Sequence, residues 1–284
     1  MTNVALDIKD LKKKYGSLFA LKGISFQVYR GELFSLLGPN GAGKTTTLRI
    51  LSGLTSPTSG NIYIFGKNLF TEEIWAKTKI GLVPQQINLD LELTVEENLF
   101  IHGLLFKMSI KEIKKRITEL LEMADLLERK KSRVKELSGG LKRRLLIIRA
   151  LMHSPEILLL DEPTVGLDPH IRRKIWSFIK GIQARGTTII LTTHYMEEAE
   201  ALSDRVAFIN KGEIIAIDTP SNFIKKLGNF AIDIYSNNGM VTHFFKNKEE
   251  AEEALLKFSQ TYPYVSLRKV NLEDVFIKLT GERV

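Results

Sequence analysis

Gly38-Pro39-Asn40-Gly41-Ala42-Gly43-Lys44-Thr45-Thr46 decides the reading of this chain. It follows the short, almost wholly apolar run Leu33 to Leu37 and opens a helical pattern that continues to about Leu51. A strand without polar alternation is one covered on both faces. The loop fits G-x-x-x-x-G-K-[ST] in the strand–loop–helix setting where that spacing has a mechanism. Its glycines let successive backbone N–H groups turn toward one anion, and the helix N-terminus adds partial positive charge. Lys44 is then placed for the outer phosphates of a nucleotide, and the Thr45 hydroxyl for Mg²⁺.

A second apolar run, Leu158-Leu159-Leu160, ends in Asp161-Glu162. Open α/β sheets bind ligands at the carboxyl edge of their strands, so both acids arrive where the phosphate loop sits. There Asp161 reads as a Mg²⁺ ligand, direct or through water, and Glu162 as the acceptor of a proton from attacking water. Two acids at a strand end also suit a helix cap or pairing with lysines. Between the two strands, Leu137-Ser138-Gly139-Gly140 precedes a helix that begins near Leu141. Ser138 serves there as an ordinary N-cap, or the segment forms a second anion-ready nest. One nucleotide does not need two nests from one chain, so the second reading implies a symmetric dimer in which each nest caps the other subunit's nucleotide.

Strand and helix signals alternate through the rest of the chain, which is the pattern of an α/β protein. Alternation at Val4, Leu6 and Ile8, and again at Ile24, Phe26 and Val28, predicts half-buried antiparallel strands. A further alternating strand is expected over Asn61 to Phe65. Thr94-Val95-Glu96-Glu97 and Ser109-Ile110-Lys111-Glu112 match the capping box, so a mostly helical insert is expected from Thr94 to about Met152. Strands follow at Ile157 to Leu160, Thr188 to Thr192, Arg205 to Ile209 and Glu213 to Ile217. The helices between them run from about Pro169 to Arg185 and from Met196 to Leu202. Thr219-Pro220 is expected to break this pattern. The remainder, with strands at Ala231 to Tyr235 and Val265 to Val270 and helices at Lys248 to Ser259 and Leu272 to Leu279, reads as a small α+β appendage.

Composition narrows the function. At roughly 150 residues per domain, 284 residues allow one large domain with an appendage. The 44% hydrophobic and 26% charged content fits a globular protein with ample core. No apolar run approaches the roughly 18 residues that span a bilayer, since the best candidate, Leu145 to Met152, is broken by Arg149. Met1-Thr2-Asn3-Val4 lacks the regions of a signal peptide, so a soluble, cytosolic chain is expected. The absence of cysteine excludes disulfides and thiolate chemistry, and five scattered histidines argue against zinc. The net charge of +8 lies almost entirely before Thr219 and does not by itself choose among nucleic acid, a membrane surface and a phosphorylated ligand.

Taken together, Gly38 to Thr46, Leu137 to Gly140 and Leu158 to Glu162 resemble the Walker A loop, signature motif and Walker B strand of the ATP-binding subunits of ATP-binding cassette (ABC) transporters. The resemblance covers about Val4 to Ile217. It implies a P-loop NTPase core with an antiparallel β subdomain and a helical subdomain at about 90–152, the whole over 1–218, followed by the α+β appendage at 219–284. It also implies ATP and Mg²⁺ bound by Gly38, Pro39, Asn40, Gly41, Ala42, Gly43, Lys44, Thr45 and Thr46. Tyr15 matches the aromatic that stacks on adenine, and Gln85, in Val83-Pro84-Gln85-Gln86, the glutamine that meets Mg²⁺ and the attacking water. Asp168, in Gly166-Leu167-Asp168-Pro169, matches the loop that crosses a dimer interface. His194 matches the switch histidine that contacts the γ-phosphate.

The family's signature often continues with glutamine, where Leu141 stands here, followed by Lys142-Arg143-Arg144. That variant, and the tail Leu272 to Gly281, resemble the ATPases of drug-resistance and other exporter-type systems. The implied partners are separate membrane-spanning subunits and a second copy or related ATPase, at the inner face of the cell membrane, with no nucleic acid. Rival readings are a soluble ABC ATPase acting on nucleic acid or ribosomes, and an importer subunit. Soluble ATPases of the first kind typically carry two cassettes, long coiled coils or zinc modules, none of which this sequence presents.

Overall fold

Every residue of Leu33–Leu37 (β3) is buried, because its sheet is covered on both sides. The computed structural model describes residues 3–236 and 239–281. In it β3 sits inside a six-stranded sheet with β6 (Ile80–Val83), β7 (Ile157–Asp161), β8 (Thr188–Thr193), β9 (Arg205–Asn210) and β10 (Glu213–Asp218), in the order β10-β9-β3-β8-β7-β6. All neighbours pair in parallel except β10, which runs antiparallel on β9. Side chains alternate between two cores: Leu158 and Leu160 face one, Ile157 and Leu159 the other. Helices α1 (Lys44–Leu51) and α2 (Glu73–Lys79) lie beside the second core, which holds Leu48, Leu51 and Ala76.

That second core is closed by an antiparallel sheet in the order β2-β1-β4-β5, made of β1 (Val4–Tyr15), β2 (Leu18–Tyr29), β4 (Ser59–Ile64) and the two-residue β5 (Lys67–Asn68). The alternating apolar residues Leu6, Ile8, Ile24, Phe26 and Val28 all point into it. The first core is closed by the helical stretch, α3 (Val95–Leu105), α4 (Ile110–Met123) and α5 (Gly139–Ala150), together with α6 (Pro169–Gln183). Both expected capping boxes form. Thr94 Oγ1 accepts from Glu97 N–H at 3.2 Å while Thr94 N–H donates to Glu97 Oε2 at 2.7 Å, and Ser109 and Glu112 repeat the pattern.

At Thr219-Pro220 the pattern changes: the six-stranded sheet has its last strand at β10 (Glu213–Asp218) and a helix starts. Thr219 Oγ1 accepts from Asn222 N–H at 3.1 Å, and proline suits the first helical position, where its missing N–H has no partner to lose. The helix, α8 (Pro220–Leu227), and the last one, α10 (Leu272–Thr280), pack with α7 (Met196–Leu202) against β9. Phe223 and Phe276 both meet Phe208. Between them stands a three-stranded sheet, β12-β11-β13, formed by β11 (Phe230–Ser236), β12 (Gly239–Phe245) and β13 (Tyr264–Lys269), with α9 (Lys248–Ser259) against it. Elements α2, β6, α8 and β12 carry no motif strong enough to be read locally.

Gly38 ends β3 for a reason that only the sheet supplies. A Cβ there would lie 2.0 Å from the Ile209 carbonyl oxygen on β9. Gly38→Ala is therefore expected to cost about 3 kcal/mol of stability, as overpacking against backbone that cannot yield. An unchanged denaturation midpoint would show that β9 moves aside.

Candidate functional site

Four parallel strands end on one edge, and each delivers part of the site. From β3 comes the loop Gly38–Gly43, from β7 Asp161 and Glu162, from β8 His194, and from β6 Gln85. Residues up to 156 positions apart in the chain thus converge because parallel strands share a direction. Gly43, the residue before α1, has φ +109°, a conformation that glycine adopts without strain. A cavity of about 510 Å³ opens over the loop, lined by Ala20, Asn40, Gly41, Gly43, Lys44, Thr45, Thr46, Gln85, Glu162, Val165 and His194. Its size suits a nucleotide-sized ligand. A larger hollow of about 680 Å³ lies in the C-terminal segment between β12 and α10, away from these strand ends.

The charged groups of the cavity hold one another. Lys44, 4% exposed, donates from Nζ to the carbonyls of Gly38 (2.7 Å) and Pro39 (3.0 Å) and lies 3.4 Å from Glu162 Oε1. Burial pulls its pKa below the ordinary lysine value, while Glu162 and then Asp161 pull it back. Glu162 is buried and takes φ +45°, a left-handed conformation that costs a residue with a Cβ. Its Oε2 accepts from Gln85 Nε2 at 3.1 Å. His194 Nδ1 stands 3.2 Å from Oε1, without the alignment of a hydrogen bond. Strain and burial at a single carboxylate are what a site, rather than a fold, requires.

Asp161 is held by two hydroxyls: Thr45 Oγ1 donates to Oδ1 at 3.0 Å and Thr192 Oγ1 at 2.6 Å. The Thr192 hydroxyl also accepts from Glu162 N–H at 3.1 Å, so one side chain orients both acids. The motif reading did not include Thr192. The available signal was a hydroxyl inside an otherwise apolar strand, two residues before His194.

Other candidates lie elsewhere. Tyr15, 46% exposed at the end of β1, is not among the residues lining the cavity; Ala20, on the strand that follows its turn, is. Ser138, Gly139 and Gly140 form the first turn of α5, outside the cavity, with Ser138 exposed and its hydroxyl accepting from Leu141 N–H at 3.4 Å. Gly140 also has a packing reason, since a Cβ would meet Ile171 of α6 at 2.6 Å. Asp168 caps α6, accepting from Ile171 N–H at 3.0 Å, and is exposed. The N-cap reading of Ser138 and Asp168 thus describes their bonds within one chain. Among the described residues no helix is long and apolar enough to cross a membrane.

A glycine nest at a helix N-terminus, with a buried lysine and a strained carboxylate beside it, defines a phosphate-loop nucleotide-binding protein. Comparison with known proteins sharpens the class. The ABC transporter family model matches residues 21–165. Across 99% of its length the chain is 42% identical to Nod factor export ATP-binding protein I of Rhizobium meliloti, covering 89% of that protein. The protein of the same name from Paraburkholderia xenovorans is 41% identical, with 100% of this chain and 99% of that one covered. Among solved structures, cbiO1 from Clostridium perfringens, part of the ABC transporter complex cbiONQ, superposes with a TM-score of 0.72 at 30% identity, over 77% of this chain and 89% of that one. A dimeric ATP-binding cassette in a post-hydrolysis state, bound to ADP and Pi, gives 0.67 at 34% identity over 75% and 98%. The chain belongs to the ATP-binding subunits of ABC transporters. It is an ATPase whose hydrolysis powers transport.

Proposed function

We propose that the chain drives export through separate membrane-spanning subunits, as a head-to-tail dimer in which each copy completes the other's nucleotide site. The relatives named for export support the direction, and the dimeric cassette supports the pairing. The observation that carries the catalytic assignment is Glu162, bracketed by Lys44, Gln85 and His194 from three other strand ends. The ATPase unit is assigned to 1–218, with its helical part at about 90–152, and 219–284 to an appendage braced on β9. The place of work is the inner face of the cell membrane.

The Gly38–Thr46 loop cradles the phosphates through its N–H groups, and Lys44 trades carbonyl and carboxylate partners for the β- and γ-phosphates. Glu162 accepts the proton of the attacking water at its carboxylate, and His194 holds water and γ-phosphate in line. Gln85 keeps Glu162 aimed, and Tyr15 stacks on adenine. Thr45, Asp161 and Gln85 offer hard oxygen donors, with Thr45 and Asp161 already in contact, and this set fits Mg²⁺. A Mg²⁺ ion held there supplies charge neutralisation and fixed geometry to the phosphate oxygens. Ser138, Gly139 and Gly140 cap the γ-phosphate of the second copy, with Asp168 at the same interface.

The pairing has a direct test. With saturating Mg-ATP, Glu162→Gln is expected to elute as a dimer, and adding Ser138→Arg to the same chain is expected to return it to monomer. Equal dimer in both chains would place the contact elsewhere and remove the trans cap.

A further inference from the structure

Helix α5 begins at the Ser138-Gly139-Gly140 turn and carries, five residues on, an arginine that packing does not explain. Arg143 is 3% exposed. One guanidinium nitrogen donates to the Pro84 carbonyl at 3.1 Å and the other to the Gln85 carbonyl at 2.9 Å, while its Nε, also buried, has no partner. Taking a guanidinium out of water costs several kcal/mol, and an apolar side chain of similar volume would fill the same space without that cost. What the cation does instead is grip the backbone of the loop after β6. Arg149, further along the helix, grips it again, donating to the Asn88 carbonyl at 2.9 Å and to the Asn88 side chain.

The loop it grips belongs to the catalytic cavity. Gln85 Nε2 donates to Glu162 Oε2 at 3.1 Å, so the residue whose carbonyl Arg143 holds is the residue that aims the carboxylate. On its other side Arg143 is bound to the nest by continuous α-helix, in which five residues span about 7.5 Å. A rigid element therefore joins Ser138 to the Gln85 carbonyl with one buried fork between them. We propose that Arg143 is a positioning residue linking the two half-sites: it sets the nest that caps the second copy's nucleotide by the same contact that sets Gln85 over its own Glu162. The proposal rests on the head-to-tail reading and adds to it a path by which occupancy of one site is felt at the other.

The test uses the full chain and two readouts. In steady-state hydrolysis, Arg143→Gln is expected to lower kcat about tenfold with KM for Mg-ATP within about twofold, as misplacement of aligned groups does. In the Glu162→Gln background, the same substitution is expected to raise the dissociation constant of the Mg-ATP-induced dimer about tenfold. Arg143→Lys, which keeps the charge but lacks the rigid planar fork that fixes both carbonyls, is expected to fall between in both. A lower kcat with an unchanged dimer constant would make Arg143 a brace of its own site only and overturn the link. So would a rise in KM that tracks a fall in thermal midpoint across both variants, which marks general loosening. If Glu162→Gln alone stays monomeric, the head-to-tail reading has failed first, and this proposal falls with it.

Discussion

Glu162→Gln is expected to lower the rate of ATP hydrolysis by about a thousandfold while leaving Mg-ATP binding intact. A positioned general base contributes roughly 10²- to 10⁴-fold, and the amide keeps the size and the acceptor oxygen of the carboxylate while removing its affinity for a proton. The neighbours should hold their places, since Gln85 Nε2 still finds an oxygen at the position it now meets at 3.1 Å. Lys44, freed of its anion at 3.4 Å, is left to the phosphates alone, so the affinity for Mg-ATP is expected to stay equal or tighten. Single-turnover hydrolysis and equilibrium nucleotide binding measure the two quantities separately. A variant that hydrolyses at the unaltered rate would place the base elsewhere.

Lys44→Ala is expected to act at the other end of the same pair and to weaken Mg-ATP binding at least about a hundredfold, near 2.7 kcal/mol. Hydrogen bonds to charged groups are worth about 1.5–3 kcal/mol each, and Lys44 has more than one phosphate oxygen to meet. The substitution also leaves Glu162 buried without its cation, which adds a cost in stability. Thermal midpoint and nucleotide titration together separate the two effects. Combining Lys44→Ala with Glu162→Gln should recover part of the lost midpoint, because no uncompensated charge remains, and should recover none of the nucleotide affinity. Full retention of affinity in Lys44→Ala would mean that the backbone nest alone holds the phosphates.

Lys44 has three partners in this pocket, two loop carbonyls and one carboxylate. All three are oxygen atoms, so the role proposed for Lys44 asks phosphate oxygens to take the place of acceptors of the same kind.

Much of the architecture can be read locally, because the physics behind it is local. The two capping boxes need only a hydroxyl and a carboxylate three residues apart, and both form where their spacing puts them. The almost wholly apolar run at Leu33–Leu37 and the apolar run at 157–160 mark strands covered on both faces, and the polar alternation of the first two strands marks a sheet covered on one. Thr219-Pro220, where the pattern changes, is local in the same way, since a hydroxyl before a proline suits a helix start.

The glycine loop, the strand-end acids and the order of the motifs belong to the sequence alone, because each depends on chemistry within a few residues along one chain. Tertiary structure alone decided that Thr192 binds Asp161 and the Glu162 amide together, that Gly38 must be bare because β9 passes over it, and that Arg143 holds the loop of Gln85. These are contacts between segments far apart in sequence, set by how parallel strands stack their ends and how helices close on them. No residue's neighbours along the chain carry that information; it exists only once the sheet has formed.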